Sequence, residues 1–257
     1  MGSRAAWCIA LTCVLLSVVP WHAQARPKKR RVPAMSQRYI RMRNSWHARP
    51  SKSAIRAYLK QSPWPALVLS PVGTTPQQEL MPLTDEGNFD TLSLDYAAVA
   101  LADKHTGASH PIEPRLLDLV YQASRHFRAP KVHVISGYRE ETGGSRHAQG
   151  RAIDIALPGV TDRQLAAHLR KQGFVGVGLY TRSGFVHLDV RERSYFWVDN
   201  SGPDQRSRPR PILSQSAQRY DALARRRGVL PVSDAPDAPD VEAQPELLAD
   251  PSMLEAE

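Results

Sequence analysis

From Pro111 to Val190 the spacing of apolar residues switches repeatedly between two periods, and the order of the switches limits the fold. In "PIEPRLLDLVYQASRHFR", Ile112, Leu116, Val120, Ala123 and Phe127 recur at helical spacing, with prolines near the start. "KVHVISGYR" then alternates as a strand and ends in a glycine turn, and "RAIDIAL" alternates again. "TDRQLAAHLRKQG" returns to helical spacing. Thr161 and Gln164 have the spacing of a capping box, Leu165 and Leu169 share a face, and Gly173 stops the helix. "FVGVGLYT" and "GFVHLDVRER" read as a hairpin pair around "RSG". Helix, strand, strand, helix, strand, strand predicts an α+β domain, a mainly antiparallel sheet with helices packed on it.

Polar residues inside these strands carry the chemistry. In "RAIDIAL", alternation puts Ile153 and Ile155 on one face and Ala152 and Asp154 on the other. The isoleucines belong to the core, so Asp154 needs water, a basic partner or a metal. Gly150 permits a turn that returns His147 to the side of Asp154. Taken alone, the pair is explained as well by an ordinary His–Asp hydrogen bond. "GFVHLDV" adds a second such strand, with Phe185, His187 and Asp189 on one face and Val186, Leu188 and Val190 on the other. If the two strands are neighbours, His147, Asp154 and His187 can converge. Two imidazoles and one carboxylate suit Zn²⁺ with a fourth position open, the arrangement of a catalytic site.

These residues give the chain a resemblance. Ser145-Arg146-His147-Ala148-Gln149-Gly150-Arg151-Ala152-Ile153-Asp154, with "SGYR" before it and "FVHLD" after it, resembles the zinc D-Ala-D-Ala peptidase superfamily, which also includes the hedgehog amino-terminal domain. "HAQGRAIDI", "GVGLY" and "FVHLDV" are most similar to the YcbK/MepK-type murein endopeptidases within it. The resemblance covers residues 95–198 and implies a zinc peptidase acting on amide bonds in peptidoglycan stem peptides, with cleavage of cross-links favoured. A D-Ala-D-Ala carboxypeptidase, or a wall-binding module that keeps zinc without turnover, are the alternatives. It implies His147, Asp154 and His187 as zinc ligands and Arg139 as the arginine that meets a substrate carboxylate or carbonyl. Ser145 falls at a position of the motif that in the family orders the loop, and no chemistry is implied for it. Tyr138, Gln149 and Tyr180 are candidates to line the groove, although packing explains them about as well. D-Ala-D-Ala dipeptidases place Glu three residues before the last histidine, where this chain has Gly184. Asp189 is then the nearest carboxylate, either the general base or a group that orients His187. His133 and His168 read as surface or packed histidines.

Charge and composition set the organisation around this domain. "AWCIALTCVLLSVVP" followed by "AQA" reads as a signal peptide over residues 1–25, cleaved after Ala25. Cys8 and Cys13 both lie inside it, so the mature chain needs no disulfide. Export predicts the periplasm or cell envelope. "PKKRRV" also has the composition of a nuclear localisation signal, a reading incompatible with export. Residues 26–94 are expected to form a basic linker and amino-terminal extension, disordered over most of 26–53, with "AIRAYLK" a short helical piece. "PALVLSPV" is β-like, and "TLSLDYAAVALAD" alternates partly, as one or two short strands would. Residues 199–230 form a basic segment in which "SQSAQRYDALARRRG" is compatible with a surface helix. Residues 231–257, with eight acids and no base, are expected to be a disordered tail. The net charge of +9 draws the protein to polyanions, here anionic wall or lipid headgroups rather than nucleic acid. No later stretch is apolar enough to span a membrane. A monomer working on peptidoglycan is expected.

Overall fold

A computed structural model describes residues 34–233, apart from 62, 74, 141–143 and 204. The signal-peptide segment and nearly all of the acidic tail lie outside the described residues. Among the described residues, those from Met35 onward form one compact unit. Six α-helices and eight strands are found among the described residues. In chain order they are α1 (Gln37–Trp46), α2 (Lys52–Leu59), β1 (Leu67–Pro71), β2 (Gln78–Leu80), α3 (Thr91–Ala100), α4 (Pro114–Phe127), β3 (Val132–Ser136) and β4 (Ala152–Ala156). Then follow α5 (Asp162–Leu169), β5 (Val175–Tyr180), β6 (Phe185–Val190), β7 (Tyr195–Asp199), β8 (Arg210–Pro211) and α6 (Ser214–Arg226). The strands make one sheet in the order β2-β1-β3-β4-β6-β5-β7-β8. Only the β1–β3 and β5–β7 pairings are parallel, so the mainly antiparallel expectation holds.

The two faces of the sheet divide the labour. One face carries Val134, Ile153, Ile155, Val177, Val186, Leu188 and Val190, and packs on Leu116, Val120 and Tyr121 of α4 and on Leu165 and Leu169 of α5. This is the main core, and burying such side chains stabilises it by about 1.5–3 kcal/mol each. The α5 capping box forms as its sequence predicts, with Thr161 Oγ1 accepting from Gln164 N and Gln164 Oε1 accepting from Thr161 N. On the opposite face Ile135 of β3, Ala156 of β4 and Phe185 of β6 meet Tyr39 and Trp46 of α1 in a second, smaller cluster. Asp154, His187 and Asp189 lie on this second face.

Three expectations are corrected. Within 26–53, expected to be mostly disordered, residues 37–46 form α1, which buries Tyr39 and Trp46, whereas "AIRAYLK" is helical in α2 and "PALVLSPV" contains β1, as their patterns suggest. The apolar anchors of α1 are aromatic and widely spaced, which a search for aliphatic periodicity passes over. "TLSLDYAAVALAD" is the helix α3. Its N-cap Asp90 accepts from Ser93 N at 2.8 Å, and its alanines favour helix. Apolar residues on all its sides produced the false alternation. The helix α6 is more than a surface feature: it buries Ala217, Asp221 and Ala224, and Asp221 accepts from Phe174 N and Ser194 N. No helix among the described residues is long and apolar enough to cross a membrane.

Candidate metal centre

Strand register builds the site. Asp154 of β4 pairs directly with His187 of β6, and His187 pairs on its other side with Gly178 of β5. Gly178 in turn faces Trp197 of β7, and Ser136 of β3 faces Asp154. One row across the sheet therefore reads Ser136, Asp154, His187, Gly178, Trp197. Glycine in that row has a reason: a Cβ at Gly178 would enter the ring of Trp197, which lies 5.1 Å from the His187 ring, centroid to centroid. The loop between β3 and β4 supplies His147. Ser145 Oγ accepts from Ala148 N at 3.1 Å, and Gly150, at φ +64°, closes the turn where a side chain would strike the Pro111 carbonyl.

Three donor atoms converge. His187 Nδ1 lies 2.9 Å from Asp154 Oδ1 and 3.2 Å from His147 Nε2, and the latter is 3.7 Å from Asp154 Oδ1. A tetrahedral zinc with bonds of about 2.0–2.1 Å sets its donor atoms about 3.3 Å apart. The observed separations bracket that value, so the residues fit such an ion. All three residues are buried. His147 Nδ1 donates to the Gly137 carbonyl at 2.6 Å, since a carbonyl can only accept. That bond fixes the tautomer and leaves the Nε2 lone pair aimed at the site. Among the described residues this is the His/Cys/Asp/Glu cluster able to hold a metal.

The electrostatics follow from burial and neighbours. Burial pushes His147 down to about 3, and the Arg139 guanidinium adds to the effect. Burial would also neutralise His187, but the carboxylates of Asp154 and Asp189 on its two ring nitrogens outweigh it and lift His187 to about 9. For Asp154, burial is likewise outweighed, here by His147, His187 and Arg139, and its carboxyl titrates below the usual range. Without a metal the centre therefore holds one imidazolium between two carboxylates. A metal must displace the proton on His187 Nδ1.

Asp189 sits behind the site. Its Oδ2 is 3.0 Å from His187 Nε2, the ring nitrogen opposite the converging atoms. Arg191 donates to both its oxygens at 2.6 Å, Arg146 Nε lies 3.4 Å from Oδ1, and the residue is fully buried. Gly176 makes room, because a side chain there would collide with Asp189 and Arg191. Burial opposes ionisation of Asp189, but Arg191, His187 and Arg146 together hold its carboxyl well below the normal range. The expectation that Asp189 takes a proton from water does not fit: its oxygens are spent on two arginines and a histidine, and the His187 ring lies between it and the donor atoms. Its contact with the rest of the centre is through His187 Nε2, the atom at which a carboxylate can orient the ring.

Beside the triad lies a cleft lined among others by Tyr39, Arg139, Asp154, Tyr180, Phe185 and Asp199. Arg139 Nη2 donates to Asp154 Oδ2 at 2.8 Å and its Nε to Ser136 Oγ at 3.0 Å, which leaves Asp154 Oδ1 to the triad. Tyr180 stacks on Phe185 with centroids 4.6 Å apart, and its hydroxyl accepts from Trp197 Nε1. Tyr138 and Gln149 are not brought to the cleft. Tyr138 stacks on His110, and Gln149 bonds the Gly144 carbonyl and Arg151. Asp199 lines the cleft but is already engaged with Ser201 N, Ser207 Oγ and Arg208 N. Sequence reasoning passed over Arg146, Arg191 and Trp197. The paired glycines of "VGVG", each leaving a gap on the polar face, were the available signal.

The α+β sheet, with its buried His–Asp–His centre and the arginine beside it, defines a metallopeptidase-like architecture. The chain belongs to the peptidase family described as peptidoglycan L,D-endopeptidase MepK, whose model matches residues 66–195. It is similar to the probable peptidoglycan L,D-endopeptidase MepK of Haemophilus influenzae, at 30% identity over 112 residues, covering 38% of this chain and 59% of that protein. The match thus spans less than two thirds of the relative's length. No solved structure matches.

Proposed function

We propose that the protein is an exported zinc metallopeptidase that hydrolyses amide bonds in peptidoglycan stem peptides, cutting cross-links in the periplasm or cell envelope. The observation that carries this reading is the convergence of His147 Nε2, Asp154 Oδ1 and His187 Nδ1 beside Arg139, within the segment matched by the family model. His147, Asp154 and His187 hold the ion. A zinc ion there supplies Lewis acidity, which makes water a competent nucleophile near neutral pH. Arg139, anchored on Asp154 and open to the cleft, meets the carbonyl or carboxylate oxygen of the substrate and stabilises the charge that develops on it. Asp189, braced by Arg191 and Arg146, keeps His187 in the tautomer that points Nδ1 at the ion. Tyr180 and Phe185 form an apolar floor that excludes water from the bound peptide.

A second reading, a wall-binding module that keeps zinc without turnover, is favoured by one observation. Among the described residues lining the cleft the carboxylates are Asp154 and Asp199, and both are engaged. Digestion of purified, cross-linked peptidoglycan with the protein from Arg26 onward, followed by liquid chromatography and mass spectrometry, separates the readings. Dimers converted to monomers only when metal is present support the endopeptidase. Loss of terminal D-Ala alone moves the assignment to a carboxypeptidase. An unchanged profile with folded, zinc-loaded protein supports the binding module.

A further inference from the structure

The helix α1 lies outside the family-matched residues 66–195, yet it packs on the same sheet face as the triad. Polar contacts fix it to the turn between β5 and β6. The Tyr39 hydroxyl donates to the Ser183 carbonyl at 2.9 Å, and Arg43 Nη1 donates to the Arg182 carbonyl at 2.9 Å. The His47 ring lies between the carbonyls of Val160 and Gly184, at 3.1 and 3.0 Å. Gly184, at φ +80°, leaves no room for a side chain, because the aliphatic stem of Arg43 occupies the space above it. That turn leads directly into Phe185 and His187. The apolar underside of α1 is anchored as well: Tyr39 packs edge-on against Trp46, with centroids 6.1 Å apart, and both join Ile135 and Phe185.

Tyr39, 4% exposed, also lines the cleft, as do Ser201, Gly202, Pro203, Gln205 and Ser207 of a loop held in place by Asp199. The polar groups of the loop are engaged within the protein, Ser207 Oγ with Asp199, Ser201 Oγ with the Arg206 carbonyl and Gln205 Oε1 with Gly202 N, so the wall is uncharged, and among the described residues Arg139 is the cation lining the cleft. Such walls suit an extended peptide strand with one anionic or carbonyl group placed at Arg139. They do not suit a polyanion, which needs several cations.

We propose that Tyr39 is a substrate-positioning residue, and that α1 is a fixed wall of the peptide cleft which this chain adds to the family domain. The proposal rests on the peptidase reading above. The wall holds the strand against Phe185 and Tyr180, so its loss lowers affinity for peptide while the metal centre, built on β4, β6 and the His147 loop, is left intact.

The test uses zinc-loaded protein for KM and kcat on a defined cross-linked stem-peptide dimer, and metal-free protein for the Kd of the same uncleaved dimer by calorimetry. Tyr39→Ala is expected to raise KM and Kd by about fivefold or more, as loss of an aromatic anchor does. Its kcat should stay within about twofold and its zinc affinity should be unchanged. Tyr39→Leu keeps apolar contact with Trp46 and Ile135 and supplies the same reading if Tyr39→Ala does not fold. Tyr39→Phe, which retains the ring, restores KM. A merely structural role would lower the melting temperature and the active fraction without moving KM. If the wild type cleaves the dimer and both Tyr39→Ala and Tyr39→Leu keep its KM, the inference is overturned and the peptidase reading stands. If the wild type neither binds nor cleaves the dimer, both fall.

Discussion

Replacing Asp189 with asparagine separates two roles that sequence alone left open. The carboxylate is fully buried between His187, Arg191 and Arg146. Asp189→Asn keeps an oxygen able to accept from His187 Nε2 but removes the charge that pairs two buried guanidinium groups. Breaking such a pair costs about 3–5 kcal/mol. For a folded unit of this size each kcal/mol lowers Tm by about 2–4 °C, so a drop on the order of 10 °C is expected. Loss of a partner that orients a metal ligand weakens metal affinity by about 10–100-fold. With saturating zinc, and on folded protein, kcat should fall less than about tenfold. A general base behaves the other way: metal affinity is spared while kcat drops by about 10²–10⁴. Chelator competition for affinity and single-turnover hydrolysis for rate, both below the lowered Tm, give the two numbers. Unchanged metal affinity with a collapse in rate would refute the orienting role.

Protonation of His187 sets the pH dependence of the metal-free protein. Its pKa of about 9 in the fold lies above the ordinary value of 6.5, so its ion pairs stabilise fully below about pH 6.5 and the benefit is lost as pH rises through 9. Metal uptake at pH 7 should release at least one proton, the first from His187 and not from His147, which is already neutral. Calorimetry in buffers of different ionisation enthalpy counts it, and zero protons released would contradict the assignment. Arg139→Ala leaves Asp154 Oδ2 without its 2.8 Å donor and the cleft without that cation, and should lower kcat by about 10²–10³ with zinc still bound. Arg139→Lys should recover little, because the fork that reaches both Asp154 and Ser136 is lost.

Local periodicity made the centre of the fold legible. Alternation in "RAIDIAL" and "GFVHLDV" assigned faces correctly, and the pairing Asp154↔His187 then needed only that the two strands be neighbours. The α5 capping box and the β5–β6 hairpin were likewise local signals. What escaped depends on long-range contact. The helix α1 carries few aliphatics, and its place is set by Tyr39, Arg43 and His47 reaching a turn 137 to 144 residues away. Alternation placed Asp189 on the face of His187 but could not show that two arginines surround it, since Arg146 arrives from another loop. Tyr138 beside Arg139 looked suited to the cleft, yet His110 draws its ring away.

Everything proposed for this site requires that His147, Asp154 and His187 form one metal centre in the folded chain. Inductively coupled plasma mass spectrometry on protein purified without added chelator, beside an Asp154→Ala variant checked for fold by circular dichroism, tests it most directly. One equivalent of zinc per wild-type chain, absent from the variant, is the predicted result. Zinc retained by Asp154→Ala, or no metal taken up by the wild type on zinc titration, would contradict it.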